Sequence, residues 1–231
     1  ALGQLTGGIA HDFNNILASI LGYAWLALQR PAAGEDQKSR EYLETITSAG
    51  ERGRDLVQKM LAFSRRSDAS CVAPSNPLPV VEDAYRMLKS IIPSRIAFSL
   101  ATPPAVPHIA LDPIDLHQIL VNLVVNSRDA LGEQGEIELR VELVERLGVR
   151  CGACHREASG EFVCISVADT GAGIAPEMLS QIFDPFFTTK PVGAGTGIGL
   201  AVVEGIVHRA GGHLAVQSAP DQGTRFELLL P

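Results

Sequence analysis

The sequence holds no run of 18 apolar residues, so its composition offers no membrane-crossing helix. No basic, apolar and small-residue signal pattern opens it, and a cytoplasmic location is expected. Positive charge is in short supply: 19 Lys and Arg stand against 26 Asp and Glu, for a net charge of -7. That balance excludes the basic footprint of a nucleic-acid binder. Cysteine is scarce too, with four in 231 residues, and three of them crowd into positions 151–164. This is not the even framework of a disulfide-stapled secreted domain. What remains is ordinary for a soluble globular chain: 46% hydrophobic, 19% charged, and long enough for one or two domains with a real core. The chain starts mid-pattern, on an apolar-periodic residue without an N-cap, so a piece of a longer protein is expected. This piece itself needs no membrane contact, which leaves any attachment to the rest.

Two halves differ in rhythm. From Leu2 to Phe63 the pattern is helical, with Leu2, Leu5, Ile9, Asp12, Ile16, Ser19 and Tyr23 at three-four spacing. The stretch Arg30–Asp36 breaks it with Pro and Gly, and a second run places Tyr42, Ile46, Ala49, Gly53, Leu56, Met60 and Phe63 on one stripe. Two such helices make an antiparallel hairpin over residues 1–66. Their broad apolar faces exceed what two helices can bury, so a four-helix bundle built by a homodimer is expected. Residues 67–79 hold three prolines and read as a linker. Over 80–231 helices and strands alternate: helix Val80–Ile91, short strands Arg95–Ala101 and Pro107–Leu111, and a helix opened by Asp112 and Pro113 and stopped at Gly132. Strands Glu136–Arg146, Glu161–Asp169, His213–Ser218 and Thr224–Leu230 follow, with helix Ile198–Ala210 among them. The fold class is α+β: a helical hairpin followed by an α/β sandwich.

Chemistry enters with IAHDFNNIL, Ile9–Leu17. Asn and Asp are poor helix-interior residues, yet Asp12, Asn14 and Asn15 surround His11 inside a helical pattern. On a wheel of ~100° per residue, His11 falls roughly 150° from the apolar stripe, facing solvent. Asp12 beside it can hold one imidazole nitrogen protonated and leave the other as a nucleophile. Asn15, one turn on, can orient a water or an incoming group. In HQILVNLVVNSRDAL, Asn122 and Asn126 share a helix face, with Asp129 after them; amide oxygens at that spacing suit Mg²⁺. DTGAGI, Asp169–Ile174, follows a strand: a buried Asp can accept from an amino group, while Gly171 and Gly173 let a flat ring approach the backbone. GAGTGIGL, Gly193–Leu200, runs into a helix, and its amides can cradle phosphate.

Together these motifs resemble the transmitter core of a sensor histidine kinase, over essentially the whole chain. IAHDFNNIL resembles the family's H box with His11 as phosphoacceptor. The Asn122–Asn126 helix resembles the N box, DTGAGI the first G box, IFDPFFTTK (Ile182–Lys190) the F box, GTGIGL the second G box, and GTRFELLLP the closing strand of the ATP-binding domain. The resemblance implies an ATP-dependent autokinase with a lid over roughly 173–195. Asp169 would read the adenine amino group, and Asn126 with Asn122 would hold Mg²⁺ on the triphosphate. Asp129, Gly171, Gly173, Phe183, Lys190, Gly195, Thr196, Gly197, Gly199, Leu200 and Thr224 would complete the nucleotide site. Asp12 would polarise His11, the phosphoryl group would pass to an aspartate of a response-regulator receiver domain, and Asn15 resembles the family's phosphatase residue. The related gyrase and mismatch-repair ATPases carry a Glu in the N-box helix to activate water, where this sequence has Asn122.

CGACH, Cys151–His155, stays outside that resemblance. C-x-x-C-H is also the attachment motif for a c-type haem, a chemistry of other compartments. A zinc site from Cys151, Cys154, His155 and Cys164, a redox-active Cys151–Cys154 pair, and a plain hairpin extension all remain open.

Overall fold

The computed structural model describes residues 20, 24, 41–43, 45, 46, 50, 72–190 and 197–231. The chain divides into two compact units, Ala1–Asp68 and Ala69–Pro231. In the first, every described residue is helical. The loop of the expected hairpin and the positions His11, Asp12 and Asn15 lie outside the described residues. No described helix is long and apolar enough to cross a membrane.

The second unit is an α+β sandwich with the order α1 (Leu78–Lys89), β1 (Ile96–Ala101), α2 (Pro113–Leu131), β2 (Gly135–Arg150), β3 (Glu157–Asp169), α3 (Gly199–Arg209), β4 (His213–Ser218) and β5 (Thr224–Leu230). The strands form one sheet in the order β1-β2-β3-β5-β4. β1 runs parallel to β2, and the other pairs are antiparallel. Alternation decides which face is covered. Ile137, Leu139 and Val141 of β2, Val163, Ile165 and Val167 of β3, and Phe226, Leu228 and Leu230 of β5 share one core with Val81 and Leu88 of α1, Leu116, Leu120 and Leu123 of α2, and Val203 and Val207 of α3. Each such aliphatic side chain contributes ~1.5–3 kcal/mol on burial. The intervening residues make the outer face, where a small apolar cluster of Ala158, Phe162, Cys164 and Leu229 sits beside ion pairs of Glu138 with Arg140 at 2.6 Å and Arg225 at 3.4 Å, and of Arg146 with Glu227 at 3.3 Å.

The helix caps act as their residue types require. Asp112 Oδ1 accepts from the Ile114 amide at 2.7 Å, Pro113 opens α2, and Gly132 ends it at φ 69°. Several boundaries shift by one or two residues, as where α1 ends at Lys89 rather than Ile91, and three differences from expectation have local causes. α1 begins at Leu78 rather than Val80: Asn76 Oδ1 accepts from the Leu78 amide at 3.0 Å in a turn before the helix, and the Val81 amide already donates to the Pro77 carbonyl at 3.0 Å inside the segment read as linker. Pro107–Leu111 is not a strand: only Ile109 pairs, with Ser75, since Pro107 lacks an N–H and the cap of α2 follows at once. The β2–β3 hairpin runs four residues further on each strand than alternation indicates. A register shift between Arg146 and Val149 turns Leu147 out to 82% exposure and so interrupts the period-two pattern.

Candidate nucleotide site

The site is built on the C-terminal end of β3. Asp169 ends that strand with its carboxylate on the helix side of the sheet, buried to 8% exposure. Oδ2 accepts from Ser127 Oγ of α2 at 2.8 Å, and Oδ1 accepts from the amides of Gly171 at 3.0 Å and Thr224 at 3.3 Å. A carboxylate offers about four acceptor positions. Three are used here, which leaves one on Oδ2 for an incoming donor. Burial pushes the Asp169 carboxyl above its ordinary value, against the opposing pull of Gly171, Ser127 and Thr224.

The loop after β3 is packed too tightly for side chains. At Gly171 a Cβ would lie 2.7 Å from the Ala130 carbonyl, close to where Ala172 donates to that same oxygen and occupies one of the carbonyls left over at the end of α2. At Gly173, with φ +68°, it would lie 1.9 Å from the Ala219 carbonyl. Gly173→Ala is therefore expected to cost ~2 kcal/mol or more, from left-handed strain together with a displaced β4–β5 turn, and to lower the melting temperature of the second unit. A thermal melt checks this, and an unchanged melting temperature would mean that the turn is not a fixed part of the site. The turn is held from its other side by Ser218, whose Oγ accepts from the Ile174 amide at 2.8 Å and donates to the Gly223 carbonyl at 2.9 Å.

Across from Asp169, α2 meets the start of α3. A Cβ on Gly199 would lie 3.4 Å from Asn122 Oδ1 and 3.9 Å from Asn126 Nδ2, so both amides border the first turn of α3. Ile198 provides no side-chain cap for that turn, and among the described residues no side chain occupies its leading N–H groups, which can serve an anion. Gly197, at φ +62°, accepts from the Phe186 amide at 2.9 Å and joins the Phe-rich segment to α3. Leu200 is half-buried against the core, and Thr224 is buried at the Asp169 carboxylate. Gly195 and Thr196 lie outside the described residues. Lys190 reaches Asp129 Oδ2 at 2.6 Å, and Arg128 pairs with the other oxygen at 2.7 Å. Burial works against it, yet these two cations hold the Asp129 carboxyl below its ordinary value. Asp129 thus anchors Lys190 instead of presenting a free carboxylate to a metal.

One assignment needs correction. Phe183 is a core residue at 8% exposure whose ring edge lies toward Gly152, far along the sheet from Asp169. Aromatic clustering alone does not distinguish it from Phe186, which is 40% exposed. The sequence-based zinc set does not assemble either. Cys164 is buried on the opposite sheet face with Ala158, Phe162 and Leu229, and desolvation pushes its thiol up to about 12. His155 is an exposed turn residue at φ 59°. Ser127 was not anticipated: it is 42 positions from Asp169, and its only sequence sign is its place one residue after Asn126.

A groove of about 640 Å³ also lies at this end of β3, lined by Ser99, Glu138, Gln217 and Arg225 and bordered by Asp169 and Thr224. It lies on the outer face of the sheet, whereas the Asp169 carboxylate turns to α2 on the inner face, so it is not the nucleotide groove.

Residues 1–69 match the His Kinase A (phospho-acceptor) domain, and residues 111–231 match the histidine kinase-, DNA gyrase B-, and HSP90-like ATPase family. The chain belongs to the histidine kinases, as a transmitter core of phospho-acceptor domain followed by ATPase-type domain. Sensor kinase CckA of Brucella abortus (strain 2308) is 36% identical over 233 residues, covering 100% of this chain and 24% of that protein. The crystal structure of full-length ShkA in complex with AMPPNP has a TM-score of 0.68 at 25% identity, covering 99% of this chain and 45% of that one. Histidine kinase ThkA in complex with response regulator protein TrrA also has a TM-score of 0.68, at 23% identity, covering 100% of this chain and 61% of ThkA, and speaks for the fold. The chain spans about a quarter of the CckA sequence.

Proposed function

We propose that this chain transfers the γ-phosphoryl group of ATP to His11 and then to an aspartate of a response-regulator receiver domain. The observation that carries the reading is the Asp169 carboxylate, fixed by three donors with one acceptor position left, on the same side of the sheet as the Asn122–Asn126 pair. Asp169 accepts from the adenine amino group. The first turn of α3 and its preceding glycines, Gly195 to Gly199, bind phosphate. Asn122 and Asn126 offer hard amide oxygens that fit Mg²⁺, which takes most of its ligands from phosphate and water. With Asp129 neutralised by Lys190 and Arg128, little protein charge competes for that ion.

Asn122 also distinguishes a kinase from a hydrolase, because an amide cannot deprotonate an attacking water. Catalysis then rests on positioning and charge neutralisation around a loose phosphoryl transition state. His11 supplies the nucleophile, Asp12 holds its proton balance, and a homodimeric four-helix bundle presents it. The solved ThkA–TrrA complex supports a receiver domain as the next acceptor. A cytoplasmic setting, where ATP is available, is consistent with this chemistry.

ATP labelled on the γ-phosphate tests the reading. Acid-labile, base-stable label on the protein is the expected result; released phosphate without labelled protein would make the chain an ATPase. Asp12→Asn is expected to slow labelling by ~100- to 10,000-fold, the usual range of a general-base contribution. Asn15→Ala is expected to leave labelling intact and to impair dephosphorylation of the receiver domain. Loss of labelling in Asn15→Ala would contradict this division of labour along one helix face.

A further inference from the structure

At the opposite end of the sheet from Asp169, two cysteines and two histidines converge that the nucleotide chemistry does not use. Cys151 follows the last residue of β2, Cys154 lies in the hairpin tip, His208 is in the last turn of α3, and His213 opens β4. One ligand atom from each lies within 4.8 Å of all the others. Cys151 Sγ is 3.4 Å from His208 Nε2, and Cys154 Sγ is 3.9 Å from His213 Nδ1. A tetrahedral zinc ion with ~2.3 Å bonds to sulfur and ~2.0 Å to nitrogen requires ligand atoms ~3.3–3.8 Å apart. The four atoms need little movement to meet that.

The chain builds this meeting deliberately. The Gly152 amide donates to the Leu214 carbonyl at 2.7 Å, docking the hairpin tip on the free edge of β4. Cys151 donates to the Arg156 carbonyl at 2.8 Å and His155 donates to the Cys151 carbonyl at 3.0 Å, closing a tight loop around both sulfurs. The left-handed backbone of His155 makes that closure and turns its own ring away from the ligand set. Around the ligands the supporting bonds are those a metal site uses. Glu204, one turn earlier on α3, lies 2.9 Å from His208 Nδ1. With the proton held on Nδ1 by that carboxylate, Nε2 presents its lone pair toward Cys151. The Leu214 amide donates to Cys151 Sγ at 3.5 Å.

We propose that Cys151, Cys154, His208 and His213 form a closed tetrahedral zinc site that clamps the β2–β3 hairpin tip to α3 and β4. Four protein ligands leave no open position, so the site is structural. The sequence spacing agrees: C-x-x-C pairs with H-x-x-x-x-H at 208 and 213, within the range that zinc sites use. The clamp holds the C-terminal turn of the helix whose first turn borders Asn122 and Asn126.

The full chain, expressed with added zinc and purified without chelator, is expected to carry about one zinc per molecule, as a four-ligand site requires. After chelation, Co²⁺ is expected to restore tetrahedral visible bands and a thiolate-to-cobalt charge-transfer band. His208→Ala and His213→Ala each lose the metal, while His155→Ala and Cys164→Ser keep it. Glu204→Gln lowers zinc affinity ~10- to 100-fold, as for other outer partners of a liganding histidine. The cobalt titration of the wild-type chain keeps the test decisive even where a ligand variant fails to fold. Reduced wild-type protein that binds neither zinc nor cobalt, or metal lost from His155→Ala or Cys164→Ser, would each overturn the assignment.

Discussion

His11→Gln is expected to abolish phosphoryl labelling while leaving ATP affinity near the wild-type value. Gln is a good helix former and polar, so it suits the solvent-facing helical position that the sequence pattern gives His11. What disappears is the ring nitrogen proposed above as the nucleophile. An amide nitrogen has its lone pair delocalised into the carbonyl and does not replace it. The residues of the proposed nucleotide site all belong to the other unit: Ser127 and Thr224 each donate to Asp169 there, and Asn122, Asn126 and Gly199 adjoin there. Measuring label incorporation alongside nucleotide affinity in the same preparation separates the two roles. Label that persists would place the acceptor elsewhere. Affinity that falls with the label would contradict a division of acceptor and nucleotide site between the units.

What could be read in advance depended on how far apart the partners lie along the chain. α2 was legible from three local residues, Asp112, Pro113 and Gly132, because caps act within a turn. Asp169 was legible as a buried strand-end carboxylate from the glycines beside it. Its partners were not: Ser127 is 42 positions away and Thr224 is 55, and no periodicity reports a hydrogen bond between elements. The same limit governed Asp129. Its place after Asn126 puts it among the nucleotide-site residues, but does not report the ion pair with Lys190, which the fold brings onto it from 61 positions away. Phe183 shows that a motif places a segment but not the side each ring faces.

The cysteines make the case most sharply. C-x-x-C is local and was visible, and its two histidine partners stand 57 and 59 positions from the sulfurs they adjoin. His208 and His213 also straddle the end of a helix and the start of a strand, so they follow neither a period of 3.6 nor one of two. Nearer residues, His155 and Cys164, filled the ligand count on paper. The fold instead buries Cys164 in the small apolar cluster of the opposite sheet face.

Asp169→Asn is expected to weaken adenine-nucleotide binding while leaving the unoccupied domain as stable as the wild type, or more so. The two effects have opposite origins. In the wild type, burial raises the Asp169 carboxyl above its unfolded value. A raised carboxyl means the native state holds the proton more tightly than the unfolded chain does. Its stabilising contribution is present below the unfolded value and is lost as pH rises through the folded one. At neutral pH the ionised group therefore costs stability, and an amide removes that cost. The local bonds survive the change: Asn Oδ1 can accept from Gly171 and Thr224, and its Nδ2 can donate to Ser127 Oγ. The remaining N–H of that amide, however, would face the adenine amino group, donor against donor. An unpaired buried donor costs ~1–3 kcal/mol, so affinity should fall by about tenfold or more. Calorimetric titration with ATP and thermal melts from acid to neutral pH measure both. The melting temperature of the variant should gain on the wild type as pH rises. Unchanged ATP affinity would remove Asp169 as the adenine acceptor, and a variant that melts lower at neutral pH would mean that its carboxylate is better solvated than its burial implies.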